Sequence, residues 1–121
     1  MSLEPKRILQ LRSTEIVGGA ETVLLELSRE LSSLGYHNIV GVLNNTRKPN
    51  AQLANLAERY ALPSQVFDCA GKIDPRTIVR LRRFIEKERI QIIHAHGYKA
   101  RFYALLCRNG AKAIPVTTCH L

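Results

Sequence analysis

Apolar and polar residues fall in blocks along this chain, and the period of the pattern changes from block to block. Lys6 to Leu11 holds Ile8, Leu9 and Leu11 in a compact run, which predicts a buried strand. Ala20 to Leu34 spaces Ala20, Val23, Leu24, Leu27, Leu31 and Leu34 three and four apart, which predicts an amphipathic helix stopped by Gly35. A second strand follows at Asn38 to Leu43, then a polar loop, a helix at Ala51 to Tyr60 and a weaker strand at Ser64 to Phe67. Asp74-Pro75 carries a cap residue and a first-position proline, opening a helix whose apolar face is Ile78, Leu81 and Ile85 with Phe84 alongside. Strand Ile90 to His94, helix Tyr98 to Arg108 and strand Ile114 to Cys119 complete the alternation.

Strands and helices that alternate at these lengths predict right-handed crossovers and an α/β fold: a Rossmann-like, doubly wound parallel sheet with helices on both faces. The expected order of the five strands is 3-2-1-4-5. Strands one and four are then neighbours where the winding reverses, and open α/β sheets bind ligands at the carboxyl ends of the strands at that point.

Two strand-to-helix junctions therefore face each other. In Gln91 to Lys99 an apolar run drives into His94 and His96, breaks at Gly97 and restarts as a helix at Tyr98. At the other junction, Gly18 and Gly19 precede the first long helix. Paired glycines let backbone approach a ligand closely, and a helix start attracts anions; an ordinary glycine-containing cap is the plainer reading. The loop matches neither a dinucleotide fingerprint nor a phosphate loop. Alternate strand residues share a face, so His94 and His96 could converge. Zinc would need a third protein ligand, and none is suitably spaced, so no metal is expected. Structural histidines and substrate hydrogen bonding remain, and Lys99 favours the second. A cation in a first helical turn opposes the helix dipole unless it is solvated or matched by an anion.

Composition narrows the picture. A chain of 121 residues, 45% hydrophobic and 23% charged, makes one globular domain without an apolar run long enough to cross a membrane. Cys69, Cys107 and Cys119 are odd in number and form no C-x-x-C, which favours free thiols in a reducing cytosol. The net charge of +8 is uneven. The first 35 residues are near neutrality, whereas Lys72 to Arg89 is dense in Lys and Arg. Such a stretch suits nucleic acid, an anionic membrane surface or an anionic substrate, and equally a solvated helix face.

Three segments then acquire a shared meaning. S-T-E-I-V-G-G-A-E-T-V-L-L-E-L (Ser13 to Leu27), I-I-H-A-H-G-Y-K-A (Ile92 to Ala100) and P-V-T-T-C-H (Pro115 to His120) resemble the N-terminal domain of retaining GT-B glycosyltransferases of the large "group 1" family. The resemblance runs over essentially the whole chain. It implies two Rossmann-like domains around a cleft, with the acceptor held by the N-terminal one. Gly18 and Gly19 would lie against the donor diphosphate, and His120 would contact the donor sugar as the catalytic-site histidine. His94, His96, Tyr98 and Lys99 would line the acceptor pocket. The implied reaction moves a sugar from a nucleotide-sugar donor to a glycan or lipid-linked acceptor with retention, in cell-surface polysaccharide or glycoconjugate synthesis. No cofactor or metal is implied. The implied location is cytoplasmic, peripheral on the inner membrane face through Lys72 to Arg89.

The family's C-terminal domain, with glutamates eight positions apart, has no counterpart in these residues. The chain thus reads as residues 1–121 of a truncated acceptor-side domain, inactive alone, with its fifth strand an exposed edge open to self-association. The rival is a basic nucleic-acid- or anion-binding module without catalysis, built on Arg76 to Arg89. It lacks stacking aromatics on a sheet face, and no nucleic-acid partner is expected.

Overall fold

The computed structural model describes residues 6–13, 20–50, 52–71, 73–107 and 113–118. Its elements run β1 (Arg7–Ser13), α1 (Ala20–Ser33), β2 (His37–Asn45), α2 (Gln52–Arg59), β3 (Ser64–Cys69), α3 (Pro75–Lys87), β4 (Ile92–His96), α4 (Tyr98–Cys107) and β5 (Ile114–Thr118). All strand pairs are parallel and the sheet order is β3-β2-β1-β4-β5, as the alternation predicts.

Two apolar layers hold the helices. On one face Leu9, Leu11, Leu43, Phe67, Ile93 and Ala95 pack with Leu81 and Ile85 of α3 and with Ala100, Tyr103 and Ala104 of α4. On the other, Val40 and Val42 meet Leu24 and Leu25 of α1 and Leu53 and Ala57 of α2. Burying a large aliphatic side chain contributes roughly 1.5–3 kcal/mol, so these two layers supply the main drive to fold.

The first helix turns differently from the predicted face. Val23 is 53% exposed and Leu34 73%, while Leu25, absent from the predicted stripe, is fully buried. The sheet-facing row is Leu24, Leu25 and Ser28, and the buried Ser28 hydroxyl donates to the carbonyl of Leu24 at 2.8 Å. Serine at that position hides the row from a count of apolar residues. Gly35, at φ +95°, ends the helix: Tyr36 N–H donates to Leu31 O and Gly35 N–H to Ser32 O, the paired bonds of a Schellman cap.

Asp74 caps α3 as expected, accepting from Arg76 N–H at 3.0 Å with Pro75 opening the helix. Thr77 joins Leu81 and Ile85 on the buried face, its hydroxyl donating to Asp68 O at 2.7 Å. Cys69 and Cys107 are buried free thiols, and Cys119 lies outside the described residues. Among the described residues no helix is long and apolar enough to cross a membrane.

Candidate functional site at the switch point

β1 and β4 lie side by side, with Gln10 level with His94 and Arg12 level with His96. Leu9 and Leu11 of β1, and Ile93 and Ala95 of β4, point into the α3/α4 layer. Alternation along the strands therefore sends Gln10, Arg12, His94 and His96 to the α1 side. A central strand pair in a parallel sheet is ordinarily apolar on both faces. Here one face is polar toward its carboxyl end, yet Gln10, Arg12 and His96 are all buried. Such groups must be hydrogen-bonded to be tolerated.

Gln10 and His96 bond to each other, with His96 Nε2 2.9 Å from Gln10 Oε1. Gln10 Nε2 donates to Asn38 Oδ1 at 3.1 Å, and Asn38 Nδ2 donates to Ser32 Oγ at 3.3 Å. The His94 and His96 rings stack at 4.0 Å between centroids with a 38° tilt. The chain of groups thus crosses β4, β1 and β2 and ends on α1.

Gly97 ends β4 with φ +94°, a conformation that strains any residue with a Cβ. Its carbonyl accepts the first helical bond of α4, from Arg101 N–H at 3.1 Å. The start of α4, with its backbone N–H groups, therefore sits directly beyond the histidine strand.

The structure brings His94 and His96 together but sends their two neighbours elsewhere. Tyr98 is 68% exposed. Lys99 turns toward the β3–α3 loop, where Nζ donates to Gly71 O at 3.2 Å. Gly18, Gly19 and His120 lie outside the described residues, as does Lys72 at the start of the basic stretch. Among the described residues no group of three or more His, Cys, Asp or Glu could hold a metal ion.

The loop that receives Lys99 is pinned from several sides. Gly71 N–H approaches Asn45 Oδ1 at 3.4 Å, Ala70 N–H donates to Asp74 Oδ2 at 3.0 Å, and Asp74 N–H donates to the Tyr103 hydroxyl at 2.9 Å. The Ala70 N–H, followed by that of Arg76 and the charges of Arg76 and Arg80, holds the Asp74 carboxyl below its ordinary range. Burial pushes the Tyr103 phenol up to about 12.

Sequence reading did not single out Gln10, Arg12, Asn38 or Ser32. The available signal was a lone glutamine inside an aliphatic strand, at the step that faces the same way as Arg12. On the far side of the molecule, Arg76, Arg80, Arg83 and Lys87 are exposed along α3, while Arg82 bends to donate to Leu106 O at 3.3 Å.

Residues 17–121 match the family model for glycosyltransferase family 4. No curated protein matches the chain. A glycosyltransferase from Rickettsia africae superposes on 93% of the chain with a TM-score of 0.74 and 20% identity, the match covering 29% of its own length. Anabaena HepE, in complex with UDP, superposes on 92% with a TM-score of 0.70 and 21% identity, covering 28% of its length. The C-terminal domain of a Pyrococcus furiosus hydrogenase covers 99% of this chain and 95% of its own at 11% identity and a TM-score of 0.60. These likenesses establish the fold. The chain spans less than a third of the length of either of the first two structures.

Proposed function

The chain belongs to glycosyltransferase family 4, and from that premise we propose that it is the acceptor-side domain of a two-domain GT-B hexosyltransferase. The parent would transfer a sugar from a nucleotide-sugar donor to a glycan or lipid-linked acceptor with retained configuration, in cell-surface polysaccharide or glycoconjugate synthesis. The observation that carries this reading is the polar cluster of Gln10, Arg12, His94 and His96 at the carboxyl ends of β1 and β4. Hydrogen-bonding side chains at the switch point are what a sugar ring requires, and burial keeps bulk water from competing for them.

Negative charge accumulates on the leaving diphosphate as the sugar departs. The backbone N–H groups at the start of α1, beside Gly18 and Gly19, suit that charge, and a metal is then not needed to balance it. The UDP bound by Anabaena HepE supports a nucleoside diphosphate as the donor's leaving group. His120 would position the donor sugar. His94 and His96 would hydrogen-bond the acceptor, and Tyr98 would border its entrance. Lys99, at the start of α4, would place a cation close to an anionic acceptor group such as a phosphate or uronate.

The exposed row Arg76, Arg80, Arg83 and Lys87 supports reversible, electrostatic attachment to an anionic membrane surface. The apolar face of α3 is committed to the core, so that helix would not insert. The exposed edge of β5 supports pairing between copies. The test is a transfer assay with labelled nucleotide-sugars and lipid-linked acceptors. The full-length parent should form a product of retained anomeric configuration, and the 121-residue chain alone should form none. Product from the chain alone, or an inverted product from the parent, would overturn the reading.

A further inference from the structure

The geometry points to Gln10 as a positioning residue that fixes which nitrogen of His96 carries its proton. Asn38 turns Nδ2 to Ser32 Oγ and Oδ1 to Gln10. Gln10 Nε2 donates to that oxygen at 3.1 Å, so Gln10 in turn presents its own oxygen to His96. An amide oxygen only accepts. The imidazole nitrogen 2.9 Å away must therefore be the donor, which makes His96 the Nε2–H tautomer.

Burial strengthens the constraint. Gln10 is 0% exposed, Asn38 3% and His96 2%, so water cannot substitute for a missing partner in the middle of the chain. Rotating either amide alone would set donor against donor or acceptor against acceptor between Gln10 and Asn38, at the cost of the buried bond that joins them. The side chains hold one another's orientation, and the ring plane of His96 is held with them. The stacked ring of His94, at 4.0 Å, limits the remaining freedom of that plane.

This assignment carries a specificity. In a neutral ring whose Nε2 bears the hydrogen, the other nitrogen is an acceptor. A group that hydrogen-bonds there must donate: a sugar hydroxyl fits, and an ionised phosphate or carboxylate oxygen does not. That consequence rests on the acceptor role proposed above for His96, whereas the tautomer itself does not. An experiment on the free chain therefore separates failure of one from failure of the other.

The experiment is two-dimensional NMR of the 121-residue chain with ¹⁵N in the histidine rings, comparing wild type with Gln10→Leu and Gln10→Glu. Wild type should show a ring N–H on Nε2 of His96 that exchanges slowly with water, with a cross-peak to the Gln10 side chain. Gln10→Leu should lose that slow exchange. Gln10→Glu keeps an accepting oxygen and should retain the resonance, moved downfield by the stronger acceptor. Should Gln10→Leu fail to fold, Gln10→Glu alone decides, since an unmoved resonance means that residue 10 does not accept from His96. A proton on Nδ1 of His96 in wild type, or a protected Nε2–H that survives in Gln10→Leu, overturns the proposal.

Discussion

Lys99 Nζ donates to the carbonyl of Gly71 at 3.2 Å, joining the first turn of α4 to the loop that leads into α3. A cation in a first helical turn is disfavoured by the helix dipole, and the Gly71 carbonyl offsets part of that cost. The contact holds the ammonium beside the β3–α3 loop. In the full-length parent, Lys99→Ala should raise the acceptor KM about tenfold, the loss of roughly 1.4 kcal/mol expected for one charge-assisted bond, with the donor KM little changed. Steady-state kinetics with charged and uncharged acceptors checks this. Equal behaviour of the two acceptors in wild type would count against an anionic acceptor.

The same loop rests on the Tyr103 hydroxyl, which accepts from Asp74 N–H. Tyr103→Phe keeps the ring packing and strips that N–H of its partner. Stability should fall by about 1 kcal/mol, near the lower end for an unsatisfied backbone donor because Asp74 is only half-buried. Urea denaturation of the two proteins measures it, and an unchanged midpoint would mean the hydroxyl does not anchor the loop.

Alkaline pH offers an independent test of the core. Burial raises the Cys107 thiol from its ordinary 9.0 to about 11. Below pH 9 the folded and unfolded chains both keep this proton. Between about 9 and 11 the unfolded chain has released it and the folded chain has not, so unfolding is favoured as pH rises. Cys107→Ala should therefore flatten the fall in melting temperature across that window, relative to wild type. Parallel curves for the two proteins would place Cys107 in a more polar setting than the structure gives it.

Most of the fold could be read from residues alone, because helix and strand periods alternate cleanly and handedness leaves few ways to connect them. The sheet order and the α3 cap followed from that logic. The site was legible only in part. His94 and His96 announce themselves at the end of an aliphatic run, but Gln10 has value only through its register with His94 and its reach to Asn38, which is 28 residues away. Lys99 likewise meets Gly71 across 28 residues, a contact that no local pattern encodes. Val23 and Leu25 exchanged roles because a buried serine carries the sheet-facing row of α1. Gly18 and Gly19 rest on their place in the sequence before the first helix and on the resemblance, and His120 on the resemblance alone, since all three lie outside the described residues.

The basic face of α3 makes a prediction about lipid. Arg80 and Arg83 are exposed and bonded to no acidic side chain in any described ion pair. Each basic residue near an anionic surface contributes about 1 kcal/mol, so the Arg80→Ser/Arg83→Ser pair should weaken binding to vesicles rich in anionic lipid about thirtyfold. Sedimentation at rising salt checks it. Binding that ignores both salt and lipid charge would contradict an electrostatic attachment.

As the acceptor-side part of a glycosyltransferase, this chain should grip a donor only weakly by itself. Titration of the 121-residue chain with a sugar nucleotide, followed by NMR, measures that grip. A few backbone N–H groups at Gly18 and Gly19 should give a Kd no tighter than roughly millimolar, about −4 kcal/mol, with shifts gathered at Gly18, Gly19, His96 and His120. Micromolar affinity, or shifts confined to the Arg76-to-Lys87 face, would contradict the account.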